Sequence, residues 1–395
     1  MNLDDEMRLV RKLGKPEIGL GLGLGDGAGE PFYRLSILKD AYAIGRAKLL
    51  FYGDSETMGR ASGSGPNSTD GSKELSYPAK VKDGLNALGV TADDQTIIAD
   101  GNTDDITDYA AYNPAVAVGT WEKGVGIGLG GCIFRKRSTA GSGSFVYAPP
   151  NPIDTWEIYY LKNTTFGVLV YSVDGGITLP TIDQLSVMPQ FVKQTIAAPS
   201  LAVNTFRATR SAVNSNTVFL AALSGYNSAT KFIDVMNAGG RGYAMSVEGA
   251  LTDVPWRPQL ALPIFAPHCT GFNIGVNDFR KNGPGDSAGL TVANWKATYQ
   301  LNIDAAKTTG EVFLMVPFQY ASTLEGNVTQ AEMRSAIYEL ADVNKVGVFD
   351  IPNRIGTYAQ LNALGQMAPD GIHPSGVTPF ANLGAALAAW IAARL

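Results

Sequence analysis

Short apolar runs alternate with helix-forming segments along much of this 395-residue chain, and the alternation stops between residues 109 and 229. Ala47-Lys48-Leu49-Leu50-Phe51-Tyr52 reads as a buried strand, with a helix over Pro31 to Arg46 leading into it. Leu75, Ala79, Val81, Leu85 and Leu88 recur at helical spacing, and Thr96-Ile97-Ile98-Ala99 follows as a strand. After the interruption, Lys231 to Met236 is a strand ending at Asn237, and Phe272-Asn273-Ile274 leads into Gly275. Val292 to Lys307 is amphipathic, and Val312 to Val316 and Val346 to Asp350 are strands. Thr329-Gln330-Ala331-Glu332 is a capping box opening a helix to about Val343, and Phe380 to Leu395 is an Ala-rich closing helix. Repeated βα units of this kind imply an α/β fold, a parallel sheet with both faces covered by helices.

The interruption has its own texture. Gly, Ser, Thr and Asn become frequent, and β-rich runs recur at Trp156 to Leu161, Phe166 to Val173 and Val218 to Leu223, with Asp174-Gly175-Gly176 as a turn. Runs of this length bounded by turn residues predict a β-sandwich, inserted because helix–strand alternation resumes afterwards. The expected division is a glycine-rich extension over 1–45, with Gly19, Gly21, Gly23, Gly25, Gly27 and Gly29 alternating; a first catalytic part over 46–108; the insertion over 109–229; and a second catalytic part over 230–395. An independent sandwich of this kind is expected to be removable without disturbing the sheet.

Composition excludes several classes. The 31 basic and 36 acidic residues give a net charge of −5 with no long run of either sign, which argues against nucleic acid or an anionic membrane as partner. No segment approaches about 18 consecutive apolar residues, so no transmembrane helix is expected. The start, Met1-Asn2-Leu3-Asp4-Asp5-Glu6, is acidic and lacks the apolar stretch of a secretory signal. Cys132 and Cys269 are far apart and read as two buried free thiols. Gly126, Gly128 and Gly131 satisfy G-x-G-x-x-G, but the chain continues as Cys132-Ile133-Phe134 with no helix, so no dinucleotide site is expected. With two histidines and no paired cysteines, neither a catalytic metal nor any other cofactor is expected.

Four short blocks carry the chemistry. Gly53-Asp54-Ser55 follows the first strand directly, where open α/β sheets place their reactive groups. Asn237-Ala238-Gly239-Gly240-Arg241-Gly242 and Gly275-Val276-Asn277-Asp278 each follow a strand, and Asp370-Gly371-Ile372-His373-Pro374 puts an acid three residues before a histidine in one turn. A nucleophilic serine needs a base, and the base needs an orienting group; His373 and Asp370 have the spacing to supply both. Taken in this order, the four blocks resemble the SGNH/GDSL hydrolase family of serine esterases over roughly 46–108 and 230–395.

The resemblance implies a flavodoxin-like three-layer α/β/α sheet with Ser55 as nucleophile, His373 as general base and Asp370 as its orienter. It implies an oxyanion hole made by the Ser55 N–H, a glycine N–H of the second block and the Asn277 side chain. By position the glycine is Gly242, with Gly239 and Gly240 as alternative alignments. Glu56 departs from the pattern, since an aliphatic residue commonly follows the serine. Asp54 and Asp278 read as structural. A second Gly-Asp-Ser, within Gly285-Asp286-Ser287-Ala288-Gly289, follows no strand, which argues against Ser287 as nucleophile. His268, after Pro267 and beside Cys269, reads as structural, with a substrate contact as the alternative.

Members of this family with added β-sandwich modules imply a carbohydrate O-acetyl esterase, so an acetylated polysaccharide is the expected substrate. The alternatives are a general small-acyl esterase or thioesterase and, from another class, a non-catalytic carbohydrate-binding or structural virion protein. Trp121, Tyr147, Trp156, Tyr159, Tyr160 and Tyr171 are expected mostly in the sandwich core, with one or two at an edge available to stack on sugar rings. The leader and sandwich together resemble phage tail-associated deacetylases, which implies a cytoplasmic or virion-associated protein in a homo-oligomer or virion assembly.

Overall fold

The computed structural model describes residues 33–62, 72–99, 107–125, 128–137, 143–174, 179–213 and 216–395. Most of the glycine-rich extension, Gly126, and Gly175 and Gly176 of the expected turn lie outside them. A six-stranded parallel sheet runs in the order Gly347–Asp350, Glu311–Val316, Cys269–Asn273, Arg46–Gly53, Phe232–Gly239, Ala92–Asp93. Its central strand, Arg46–Gly53, alternates between two cores. Ala47, Leu49 and Phe51 pack with Leu38 of helix Ser36–Ile44, Val81 and Leu85 of helix Tyr77–Ala87, and Phe380 and Leu387 of helix Val377–Ala392. Leu50 and Tyr52 pack on the opposite side with Leu262 of helix Pro258–Phe265, Trp295 and Tyr299 of helix Val292–Lys307, and Ile337 of helix Gln330–Asn344. Burial on both faces is why the run carries so little polar side chain. The capping box forms as expected, with Thr329 and Glu332 satisfying each other's backbone N–H groups.

Two antiparallel sheets make the inserted sandwich. One runs Thr181–Asp183, Val168–Val173, Phe206–Arg210, Phe145–Tyr147, Val116–Ala117. The other runs Gln190–Ala202, Ile153–Lys162, Val218–Tyr226, Cys132–Lys136, Glu122–Val125. Thr96–Ile98 is the expected strand, but it pairs antiparallel with Val218–Tyr226 and so joins the sandwich, while Ala92–Asp93 takes the edge of the parallel sheet. The glycines of the G-x-G-x-x-G match lie between Glu122–Val125 and Cys132–Lys136, which pair as an antiparallel hairpin with no helix after them. Both cysteines are buried.

The sandwich shares a core with the parallel sheet. Along Ile153–Lys162, Trp156, Ile158 and Tyr160 face the sandwich interior, whereas Tyr159 and Leu161 join Leu50, Tyr52 and Phe265 in the core beneath the sheet. All six aromatic residues considered as sugar platforms are buried, none more than 7% exposed. The expectation that one or two stand at an edge is therefore corrected: their rings fill the two cores. Residues 109–229 contribute Tyr159, Leu161 and Phe191 to that shared core.

An ionic seam crosses the same junction. Glu157 accepts from Lys48 Nζ at 2.8 Å and Tyr159 Oη at 2.8 Å, and pairs with Arg46 Nη1 at 2.9 Å. Arg46 also holds Asp234 of the Phe232–Gly239 strand, through Nε at 3.0 Å, and lies over the Tyr226 ring. Burial, with Arg46 nearby, pushes the Lys48 ammonium down to about 8. Burial alone would raise the Glu157 carboxyl, but Arg46 and Lys48 hold it well below the ordinary carboxylate range. A carboxyl with a depressed folded-state value contributes stability above its unfolded value and loses it as pH falls. For Glu157 the loss begins near the ordinary value of 4.5. Glu157→Gln, which leaves Lys48 buried without its counter-charge, is expected to cost about 3 kcal/mol at neutral pH. It should also flatten the fall in stability on acidification below about 4.5. Urea unfolding of both proteins at neutral and acid pH reads the two effects, and equal midpoints at neutral pH would show that the seam contributes nothing.

Candidate active site

The three strands that lead into the first three blocks are neighbours, with Arg46–Gly53 between Phe232–Gly239 and Cys269–Asn273. Gly53 pairs with Gly239 on one side and with Asn273 on the other, so the segments that follow emerge together at the C-terminal edge. Asp54 leaves the strand and caps the short helix Ser55–Met58, its carboxylate accepting from Glu56 N at 3.0 Å. Ser55 is the first residue of that helix, so its N–H has no intrahelical acceptor. Tyr112 of helix Thr107–Tyr112 supports the helix from outside by donating to Met58 O at 2.9 Å.

Asp370 and His373 sit in the loop before the last helix. Gly371, at φ 68°, takes the left-handed conformation that closes this turn. Asp370 Oδ1 accepts from Ile372 N at 2.9 Å and His373 N at 3.1 Å, while Oδ2 meets His373 Nδ1 at 2.7 Å. With Nδ1 donating to the carboxylate, Nε2 is left as acceptor, and it lies 2.7 Å from Ser55 Oγ. Burial would raise the Asp370 carboxyl, but the His373 ring and the two backbone N–H groups hold it well below the ordinary range. The loop is tied down by Ala368 N to His373 O at 2.8 Å and Gly376 N to Ala61 O at 2.9 Å. A hydroxyl so placed can pass its proton to imidazole as it attacks an electrophilic carbon.

The second and third blocks flank the serine. Gly239 lets its strand approach the Ser55 helix, since a Cβ there would lie 2.1 Å from Met58 N. Its own N–H donates to Asn237 Oδ1 at 2.9 Å, and the Gly240 N–H donates to Gly53 O at 2.9 Å. The Gly242 N–H, at φ 75°, has no acceptor among the described residues. Of the three glycines, Gly242 thus has the free donor. Asn277, in helix Val276–Phe279, is buried and donates from Nδ2 to Tyr243 O at 3.0 Å, next to Gly242. Asp278 accepts from Met245 N at 3.0 Å and Ser246 N at 2.8 Å, tying the third block to the second.

Glu56 is buried under the serine with Oε2 accepting from Phe318 N at 3.3 Å. Burial first, and the neighbouring Asp54 second, push its carboxyl well above the ordinary range. Burial thus disfavours the charged form of this long polar residue in the usual aliphatic place. His268 lies at the opposite end of the sheet, its Nδ1 accepting from Lys48 N at 2.8 Å, which removes it from any substrate role at this edge. Ser287 ends the short helix Pro284–Ser287 and is exposed, and neither histidine of the chain bonds to it. Arg280 and Tyr112, which touch Asn277 and the Ser55 helix, were not singled out from the sequence. Arg280 stands three residues after Asn277 on the same turn, a readable spacing, whereas nothing near Tyr112 points to residue 58. Among the described residues, no group of three or more His, Cys, Asp or Glu is placed to hold a metal.

The activation of one serine has a direct chemical test. A fluorophosphonate probe is expected to label Ser55 and leave Ser287 unmodified, with labelling lost in His373→Ala. Peptide mass spectrometry identifies the labelled serine, and labelling at Ser287 would refute the assignment.

No family model matches this chain, and no curated protein matches it. Among solved structures it aligns with a lipase/acylhydrolase from Enterococcus faecalis at 21% identity and TM-score 0.32, covering 41% of this chain and 77% of that one. It aligns with a family two carbohydrate esterase from Clostridium thermocellum, in complex with cellohexaose, at 11% identity and TM-score 0.30, covering 71% and 100%. A member of the lipolytic protein G-D-S-L family from Veillonella parvula gives 18% identity and TM-score 0.31, covering 41% and 82%. With its four blocks gathered at one edge of a parallel sheet, and serine, histidine and aspartate in hydrogen-bonded series, this chain resembles the SGNH/GDSL hydrolases.

Proposed function

We propose that this protein is a serine ester hydrolase working through an acyl-enzyme, and that it removes O-acetyl groups from a carbohydrate or polysaccharide. The observation that carries the first part is the continuous series from Ser55 Oγ through His373 to Asp370, at 2.7 Å for each step. Ser55 Oγ attacks the ester carbonyl carbon while His373 Nε2 takes its proton. The carbonyl oxygen gains negative charge and is met by the Ser55 N–H, the Gly242 N–H and the second proton of Asn277 Nδ2. The bond to the sugar oxygen then breaks, and His373 returns the proton to that oxygen. Water attacks the acetylated Ser55 with His373 again as base, releasing acetate and restoring the hydroxyl. Asp370 keeps the imidazole in the required tautomer and stabilises its charged form.

The carbohydrate part rests on the sequence resemblance to sandwich-bearing O-acetyl esterases. Recognition of a glycan would come from groups other than the six buried aromatic residues.

The protein is expected to hydrolyse p-nitrophenyl acetate faster than longer acyl esters and to release acetate from acetylated polysaccharides. Ser55→Ala should lower both rates at least ~10³-fold. A preference for longer chains with no acetate release would leave a general esterase or thioesterase, and no hydrolysis at all would sink the enzymatic reading.

A further inference from the structure

We infer that Arg280 is a positioning residue for the oxyanion donor, holding the Asn277 carboxamide with its nitrogen, and not its oxygen, turned toward Ser55. The inference rests on the ester-hydrolase reading and extends it to a residue outside the four blocks.

A carboxamide is nearly symmetric in shape and opposite in chemistry at its two ends. At an oxyanion site the nitrogen stabilises the developing charge, whereas the oxygen would repel it. Asn277 must therefore be held in one of two orientations of similar shape. Two contacts select it: Oδ1 accepts from Arg280 Nε at 3.0 Å, and Nδ2 donates to Tyr243 O at 3.0 Å. Flipping the amide would set Oδ1 against the Tyr243 carbonyl and Nδ2 against the guanidinium N–H, replacing both bonds by repulsions. The bond from Arg280 is the charge-assisted one, so it is the stronger constraint. Nδ2 has two protons, of which Tyr243 O uses one, leaving the other for substrate.

Arg280 is itself well placed to act as a fixed reference. Its N–H donates to Val276 O at 2.9 Å, its carbonyl accepts from Gly283 N at 2.8 Å, and it bridges to Glu325 through backbone. Among the described residues no carboxylate forms an ion pair with its guanidinium. The charge lies within electrostatic reach of Asp54, the residue before the nucleophile, and of Tyr320. A guanidinium bonded to the amide oxygen also polarises the amide, making its N–H a better donor toward the oxyanion.

A double-mutant cycle on p-nitrophenyl acetate, with melting temperatures for every variant, tests this. Arg280→Met is expected to lower kcat about 10-fold with KM changed less than about 2-fold. Arg280→Lys, which keeps a charged donor, should recover kcat to within about 3-fold of the wild type. Asn277→Ala should lower kcat roughly 10²–10³-fold, and adding Arg280→Met to it should change kcat by less than about 2-fold. If Arg280→Met does not fold, Arg280→Gln replaces it in the cycle, with a loss of about 3-fold that again disappears beside Asn277→Ala. An equal loss from the Arg280 change in both backgrounds overturns the inference, as does a rise in KM at constant kcat. Ser55→Ala, measured in parallel, keeps the two levels apart. Wild-type rates in Ser55→Ala would end the esterase reading, whereas an inactive Ser55→Ala with additive Arg280 and Asn277 losses removes only the role of Arg280.

Discussion

The strand Arg46–Gly53 has no free edge and no free face, and the rest of the molecule is arranged around that confinement. Its edges are bonded to the strands that lead into the second and third blocks. Its alternate side chains fill two separate cores. A segment held in this way cannot shift register without turning Leu49 and Phe51 into the space of Leu50 and Tyr52, so its C-terminal end is a fixed point. Ser55 sits on that point. The other two donors proposed for the oxyanion, the Gly242 N–H and the Asn277 amide, follow the two neighbouring strands, so positions far apart in sequence are brought together by backbone pairing.

The other end of the same strand carries Arg46 and Lys48 into the ionic seam with Glu157 and Asp234. Buried charges of this kind recover their desolvation cost only when each is fully partnered, so their contribution lies in specifying how the sandwich seats on the sheet. The sandwich in turn reaches the chemistry, because Tyr112 bonds the last turn of the helix that Ser55 opens. The insertion is part of the scaffold that holds the serine. The shared core explains why the strand Ile153–Lys162 is buried at every position from Trp156 to Leu161 although it belongs to an antiparallel sheet, a class that commonly leaves one face to water.

Local signals were easily legible. The helix over Val292–Lys307 has the bounds that its apolar spacing indicates, and the capping box at Thr329 opens its helix as read. Asp370 and His373 lie in one turn, so their spacing already contained their geometry. Pairings across long separations were not legible. Thr96–Ile98 looks like any strand, and only its antiparallel pairing with Val218–Tyr226, which sets Ser224 beside Thr96, assigns it to the sandwich. Aromatic residues in a β-rich segment look alike whether they fill a core or line an edge. Here a second core beneath the first sheet took the positions that would otherwise have been exposed.

The sequence by itself determined the layered α/β class and the presence of an inserted β-sandwich, because each depends on periodicity and on where that periodicity breaks. Tertiary structure alone decided which of Gly239, Gly240 and Gly242 has an N–H without an acceptor among the described residues, since two of these amides donate to Asn237 and Gly53. It decided that Ser55 and not Ser287 meets a histidine, and that Arg280 and Tyr243 engage opposite ends of the Asn277 amide. Hydrogen-bond capacity is a property of each residue, but whether it has already been used depends on neighbours that only the folded chain brings within 3 Å.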